Sequence, residues 1–97
     1  MSEVTLPEAQ DRFEINPMYL FRWEETQQAH VLLYPEGIVK LNDTASEIIK
    51  RCDGERTVEA MVGELQTLFE GDKQAIAEGV YKFLEVFRAK GWIRRQT

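Results

Sequence analysis

"LYPEGIVKLNDTA", residues 33–45, decides how the chain is organised. Its first half closes a hairpin: in Tyr34-Pro35-Glu36-Gly37, proline presets the backbone at the second turn position and glycine is free to take the positive φ of a tight turn. Its second half offers Asn42, Asp43 and Thr44 as helix caps, and Thr44 with Glu47 has capping-box spacing. Between the two lies one short strand, "GIVKL". A strand that runs straight into a helix keeps a free edge unless a later segment returns to pair with it.

Upstream, Tyr19, Phe21 and Trp23 alternate with Leu20, Arg22 and Glu24, the period of two that marks a strand. After the polar loop "ETQQA", the segment "HVLLY" is apolar at four successive positions, Val31 to Tyr34. That pattern predicts burial on both faces and a central place in the sheet. Residues 1–17 hold two prolines, scattered acids and no sustained periodicity, so they read as a flexible N-terminal arm ahead of a domain over 18–97.

Downstream the period changes to that of helices. Ala45, Ile48, Ile49 and Cys52 recur at helical spacing, with Asp53-Gly54 as the expected stop. Thr57 is the expected cap of a second helix striped by Val58, Met61, Val62, Leu65 and Phe69, with Leu68 broadening the stripe. A third helix carries Ile76, Val80, Phe83, Leu84 and Phe87 and ends near Gly91. The expected fold is therefore α+β: a three-stranded antiparallel meander followed by three helices. Helices two and three suit a winged helix-turn-helix with the meander as its wing.

The 97 residues, 43% hydrophobic and 30% charged, suit one small globular domain. No apolar run exceeds the four residues of "VLLY", and the N-terminus lacks the basic and apolar segments of a signal peptide, so the expected location is the cytoplasm, with no membrane partner. The net charge of −5 is uneven: residues 1–70 hold fourteen acids and six bases, residues 71–97 three acids and six bases. The basic C-terminal end favours an acidic or mixed-charge partner, while the whole-molecule field repels polyanions.

The chemistry of an enzyme is missing. One histidine and one cysteine do not begin a metal site at helical spacing. His30 opens the central strand, where a packed ring is the plainer assignment than a catalyst, and Cys52 completes an apolar stripe as a small hydrophobe. The six glycines are isolated, so no phosphate-cradling loop is present, and Glu24 and Glu25 face opposite sides of a strand end. The expectation is a protein with no catalytic residue, no cofactor and no metal.

What remains is the edge. With the second strand central, Ile38 to Leu41 are unpaired on one side, and the segments after Leu41 read as helices that supply no fourth strand. Such edges are usually blunted by prolines, bulges or charges; here there is one lysine. An extended peptide adding to this strand would account for it. The third helix widens beyond its stripe through Ala77 and Tyr81 on one shoulder and Gly79 and Val86 on the other. Tyr81 beside Leu84, with Arg88 a turn further on, is the expected groove wall with a cation at its end.

The stretches "VLLYPEG", "VKLN", "RCDG" and "GWIRR", within a match from about Phe21 to Arg95, resemble the PqqD family of pyrroloquinoline quinone (PQQ) biosynthesis. The resemblance implies a winged helix-turn-helix peptide recognition element of ribosomally made, modified peptides. It also implies the partners, the precursor peptide PqqA and the radical SAM enzyme PqqE, to which the peptide is presented. In that family the leader peptide adds to the third strand and lies on the third helix, which maps here to Gly37, Ile38, Val39, Lys40 and Leu41 and to Val80, Tyr81, Leu84, Phe87 and Arg88. The arm, largely outside the match, is a candidate for covering the sheet or for exchange in a homodimer. The alternative class is a DNA-binding winged-helix regulator; against it, residues 57–90 carry more acids than bases. A small-molecule binder ranks last, for want of any polar-pocket motif.

Overall fold

The structure, a computed structural model, describes residues 6–96. Residues 1–5 of the expected arm, and Thr97, lie outside the described residues. In chain order the elements are β1 (Arg12–Ile15), β2 (Leu20–Glu24), β3 (Ala29–Tyr34), β4 (Gly37–Lys40), α1 (Asp43–Lys50), β5 (Asp53–Thr57), α2 (Val58–Leu68), α3 (Lys73–Ala89) and β6 (Ile93–Arg95). They form an α+β fold with two antiparallel three-stranded sheets, ordered β2-β3-β4 and β5-β1-β6.

The expected meander is the first of these sheets, with β3 in its middle. Phe21, Leu32 and Val39 share one cross-strand row facing the core, while Leu20, Leu33 and Ile38 share a row on the other face. Burial on both faces holds for Val31 and Leu32, which are fully covered, whereas Leu33 and Tyr34 are only half-buried. Gly37 does not have the positive φ expected of it. It is the fourth residue of a turn whose two central residues, Pro35 and Glu36, keep negative φ, and a Cβ there would come within 3.3 Å of the Tyr34 hydroxyl. Space against that ring, rather than handedness, favours glycine.

Three helices follow, each with the oxygen-bearing cap its sequence offers. Asn42 Oδ1 accepts from the Ala45 N–H at 2.8 Å, Thr57 Oγ1 from Ala60 at 3.2 Å and Asp72 Oδ2 from Ala75 at 3.0 Å. With Asn42 as cap, Glu47 is released from the expected capping box and pairs with Lys50 and Arg51 instead. Arg51 also pairs with Glu64, and Arg56 with Glu64 and Asp53, so one ion network joins α1, β5 and α2.

Part of the expected arm is strand. Arg12–Ile15 pairs with β5 on one side and β6 on the other, and Phe13, 1% exposed, sits in the core with Ile93. The alternation in "RFEI" is real but only four residues long, and both partners lie far away in sequence, so no local signal announces it. The segments after Leu41 are accordingly not all helical, although neither β5 nor β6 pairs with the meander. Gly54, the expected helix stop, lies inside β5 at φ +80, where the register against β1 shifts between Arg12 and Glu14. Helix α1 instead tightens at its end, Arg51 and Cys52 donating to the carbonyls of Ile48 and Ile49.

A single core lies between the meander, the three helices and the β5-β1-β6 sheet. Leu32, Ile48, Ile49, Met61, Leu65 and Leu84 are essentially inaccessible within it. Leu68, expected to broaden the α2 stripe, is half exposed.

Candidate functional site

The outer edge of β4 has a definite chemistry, set by its register. Val31 faces Lys40, Leu32 faces Val39, Leu33 faces Ile38, and the Leu41 N–H donates to the His30 carbonyl at 2.9 Å. In an antiparallel ladder, hydrogen-bonded and non-hydrogen-bonded pairs alternate. Leu41, Val39 and Gly37 therefore spend their backbone groups on β3, and Ile38 and Lys40 turn theirs outward. Two N–H and two C=O groups are left along that edge, and no strand among the described residues takes them.

The edge opens into a groove of ≈ 360 Å³ between the end of β4, the first turn of α1 and one flank of α3. Its walls are Leu41 and Ala45 on one side and Gly79, Phe83, Val86 and Phe87 on the other, with Trp92 at the end and Lys40, Asn42 and Lys82 at the rim. Gly79, Phe83 and Val86 stand at i, i+4 and i+7 and so line one side of the helix. Phe87 stacks on Trp92 with ring centroids 5.4 Å apart, Phe83 touches Phe87 at 5.5 Å, and the Lys90 ammonium lies 5.7 Å over the indole. Val86 keeps 39% of its surface exposed, an apolar side chain left in water beside an open groove.

The structure brings together only part of the expected site. Gly37, Ile38 and Lys40 are exposed on the edge strand, Val39 is half-buried toward the core and Leu41 contributes to the groove wall. Phe87 forms part of the groove floor although only 2% exposed. Leu84 and Val80, at 0% and 3% exposed, are core residues with no surface to offer a partner, and Arg88 does not line the groove. Tyr81 lies on the opposite flank of α3, in a hollow of ≈ 420 Å³ shared with Leu6, Pro7 and Ala77. Burial there, with Glu59 and Asp11 nearby, pushes its hydroxyl above the ordinary phenol range.

The sequence made Tyr81 the groove wall, whereas the groove beside β4 is lined by the opposite shoulder; a helical wheel gives the width of an apolar face but not which side meets the sheet. The residues it overlooked are Phe83, placed in the core stripe, Ala45, assigned to packing, and Trp92. A usable signal was the two-residue link between β4 and α1: it forces the start of α1 against the end of β4, so whichever flank of α3 meets Ala45 must border the edge.

Other side chains of chemical interest are committed to packing. The His30 ring stacks on Phe21 at 5.0 Å and meets Trp23 edge-on at 5.1 Å. Cys52 is 3% exposed and its thiol donates to the Ile48 carbonyl; burial pushes its pKa up to about 12, so it stays a thiol at neutral pH. Among the described residues no three His, Cys, Asp or Glu side chains converge to hold a metal ion. No helix among them is long and apolar enough to cross a membrane.

Residues 29–93, which carry both the edge and the groove, match the model of the family Coenzyme PQQ synthesis protein D (PqqD). The chain is 45% identical over 93 residues to a PqqA binding protein of Azotobacter vinelandii, covering 96% of this chain and 97% of the relative. It is 48% identical over 77 residues to a PqqA binding protein of Pseudomonas entomophila, covering 79% and 84%. It is also similar to the solution NMR structure of the PqqD truncation of Methylobacterium extorquens PqqCD, a stand-alone recognition element of ribosomally synthesised, modified peptides. That likeness has a TM-score of 0.78 at 26% identity and covers 97% of this chain and all of the other. By sequence and by fold, the chain belongs to the PqqD family.

Proposed function

We propose that this protein is a noncatalytic peptide chaperone of PQQ biosynthesis. It works in the cytoplasm, binds the precursor peptide PqqA as an added strand along β4, and presents it to the radical SAM enzyme PqqE. One observation carries the reading: an unpaired strand edge that opens into an apolar groove. The relatives' description as PqqA binding proteins supports the peptide's identity.

Magnitudes divide the work between edge and groove. Four backbone hydrogen bonds at ~1 kcal/mol net each give ~4 kcal/mol, no more than the low end of the ~4–15 kcal/mol cost of association. The edge alone therefore binds weakly. Two or three apolar anchors at ~1.5–3 kcal/mol each supply the remainder, and Phe83, Val86 and Trp92 give them a surface. A homodimer formed through two β4 edges would use the same groups, so dimer and peptide complex would compete. The exposed Glu59, Glu64, Glu70 and Glu78 on α2, α3 and the link between them disfavour the DNA-binding alternative.

Backbone NMR titration with synthetic PqqA tests the proposal. Shifts are expected in residues 37–41 and 79–92, and Val86→Asp, at a partly exposed position, is expected to weaken binding at least about tenfold while circular dichroism stays native. Shifts confined to the hollow around Tyr81, or unchanged affinity in a folded Val86→Asp protein, would overturn it.

A further inference from the structure

The register of the meander specifies what an added strand must carry. Each cross-strand row extends outward by one position when a fourth strand pairs with β4, and its new member packs beside the last residue of the row. The row Leu20, Leu33, Ile38 is apolar, and its outer members are 56% and 49% exposed. The row Phe21, Leu32, Val39 is apolar and faces the core. Next in register after the core-facing row, and on the same face as Leu20, Leu33 and Ile38, runs Arg22, Val31, Lys40, with a base at each end of a fully buried valine.

Neither Arg22 nor Lys40 makes an ion pair among the described residues. That is notable in a chain with 17 acids to 12 bases. The carboxylates near β4 in sequence, Glu36 and Asp43, leave Lys40 unneutralised, and the groove that begins at Lys40 has no carboxylate in its walls. A lysine at the edge of a sheet also discourages uncontrolled pairing; against the correct strand, the same charge becomes a selector.

We propose, resting on the strand-addition reading above, that Lys40 selects the peptide by pairing with a carboxylate directly across from it, so that the bound segment reads apolar, acidic, apolar. The two apolar residues lie opposite Val39 and Leu41 and enter the groove; the acidic one lies on the other face, beside Lys40. Because the triplet is symmetric, it holds whether the peptide runs parallel or antiparallel to β4.

The test crosses two sets of variants. Each Asp or Glu of a synthetic PqqA precursor is changed in turn to Lys, and each peptide is titrated against the native protein, Lys40→Glu and Arg22→Glu, with circular dichroism as the control for folding. One acidic position is expected whose reversal weakens binding to the native protein roughly three- to tenfold and improves binding to Lys40→Glu. Arg22→Glu, two strands away from the edge, is expected to show no such reversal. If native PqqA binds but no position reverses with Lys40→Glu, the charge selection is wrong and strand addition stands. If native PqqA gives no shifts along β4 at all, strand addition itself fails and takes this inference with it.

Discussion

Ile38→Pro separates the edge from the rest of the fold. The Ile38 N–H points away from β3, so a proline there removes no bond of the hairpin, and proline is tolerated on edge strands when the missing donor faces outward. Gly37 before it accepts the extended backbone that a following proline demands. The protein is therefore expected to fold and to melt within a few degrees of the native chain. Binding is another matter: the peptide loses one main-chain hydrogen bond, ~1 kcal/mol net, and the ring Cδ crowds the neighbouring one. A loss of about 1–2 kcal/mol, or roughly five- to thirtyfold in affinity, follows. Val39→Pro is the opposite case. Its N–H belongs to the pair with Leu32, a fully buried residue of the central strand, so the Leu32 carbonyl would be left bare at a cost of ~1–3 kcal/mol and the hairpin would open. Calorimetric titration with PqqA gives the affinities. Amide exchange gives a direct check, since Ile38 and Lys40 should exchange fast when free and slowly when bound, with Val39 and Leu41 slow in both. A folded Ile38→Pro protein that binds PqqA as well as the native one would refute the assignment of the edge.

Leu84→Ala is expected to cost ~2–5 kcal/mol in urea denaturation, as for a filled core position, while the fraction that stays folded binds peptide normally; Leu84→Asp is expected to unfold the chain rather than act on the site. Cys52 should resist thiol reagents at pH 8 in the folded protein and react at once in denaturant. With the folded thiol raised to about 12, its contribution to stability is complete below the ordinary thiol range and is lost as pH climbs through that value. A pH titration of the melting temperature from 8 to 11 should therefore show a decline that Cys52→Ala reduces.

What was legible in the sequence was whatever announces itself locally. The meander is written in two alternating runs and a Pro-Glu turn, and the helices in stripes of three and four with a capping oxygen at each start. The second sheet was not legible. "DGERT" has no apolar period, and it is extended only because β1, some 40 residues earlier, supplies its hydrogen bonds. Phe13 in "RFEI" carries the core contact, but a single aromatic between prolines and acids reads as arm. At the site, the edge followed from counting strands, whereas the groove depended on which flank of α3 the sheet meets, a property of packing angles that no wheel records. Leu84 shows the difference: its spacing beside Tyr81 gave it to the groove, and the structure seals it beneath the helix.

The unexpected sheet explains how the groove keeps its shape without a partner. One wall, the end of β4, is tied to α1 by two residues; the other, α3, is held at its far end by β6, which pairs with β1. Asn16 joins these halves. Its N–H donates to the Trp92 carbonyl at 2.8 Å and its Nδ2 to the Gly91 carbonyl at 2.9 Å, while its own carbonyl accepts from Tyr19 at the start of the meander. Trp92 at the groove's end is thus fixed from the strand connection, and Gly91, at φ +81, lets the chain turn from α3 into β6 there. On the proposed strand addition, a peptide arriving at β4 would meet walls already positioned by bonds it does not have to form, and the ordering cost would fall on the peptide alone. On the same reading, segments 12–16 and 93–95, remote from the edge in sequence, would contribute to affinity: loosening their pairing is expected to widen the groove and weaken capture without altering a groove-lining residue.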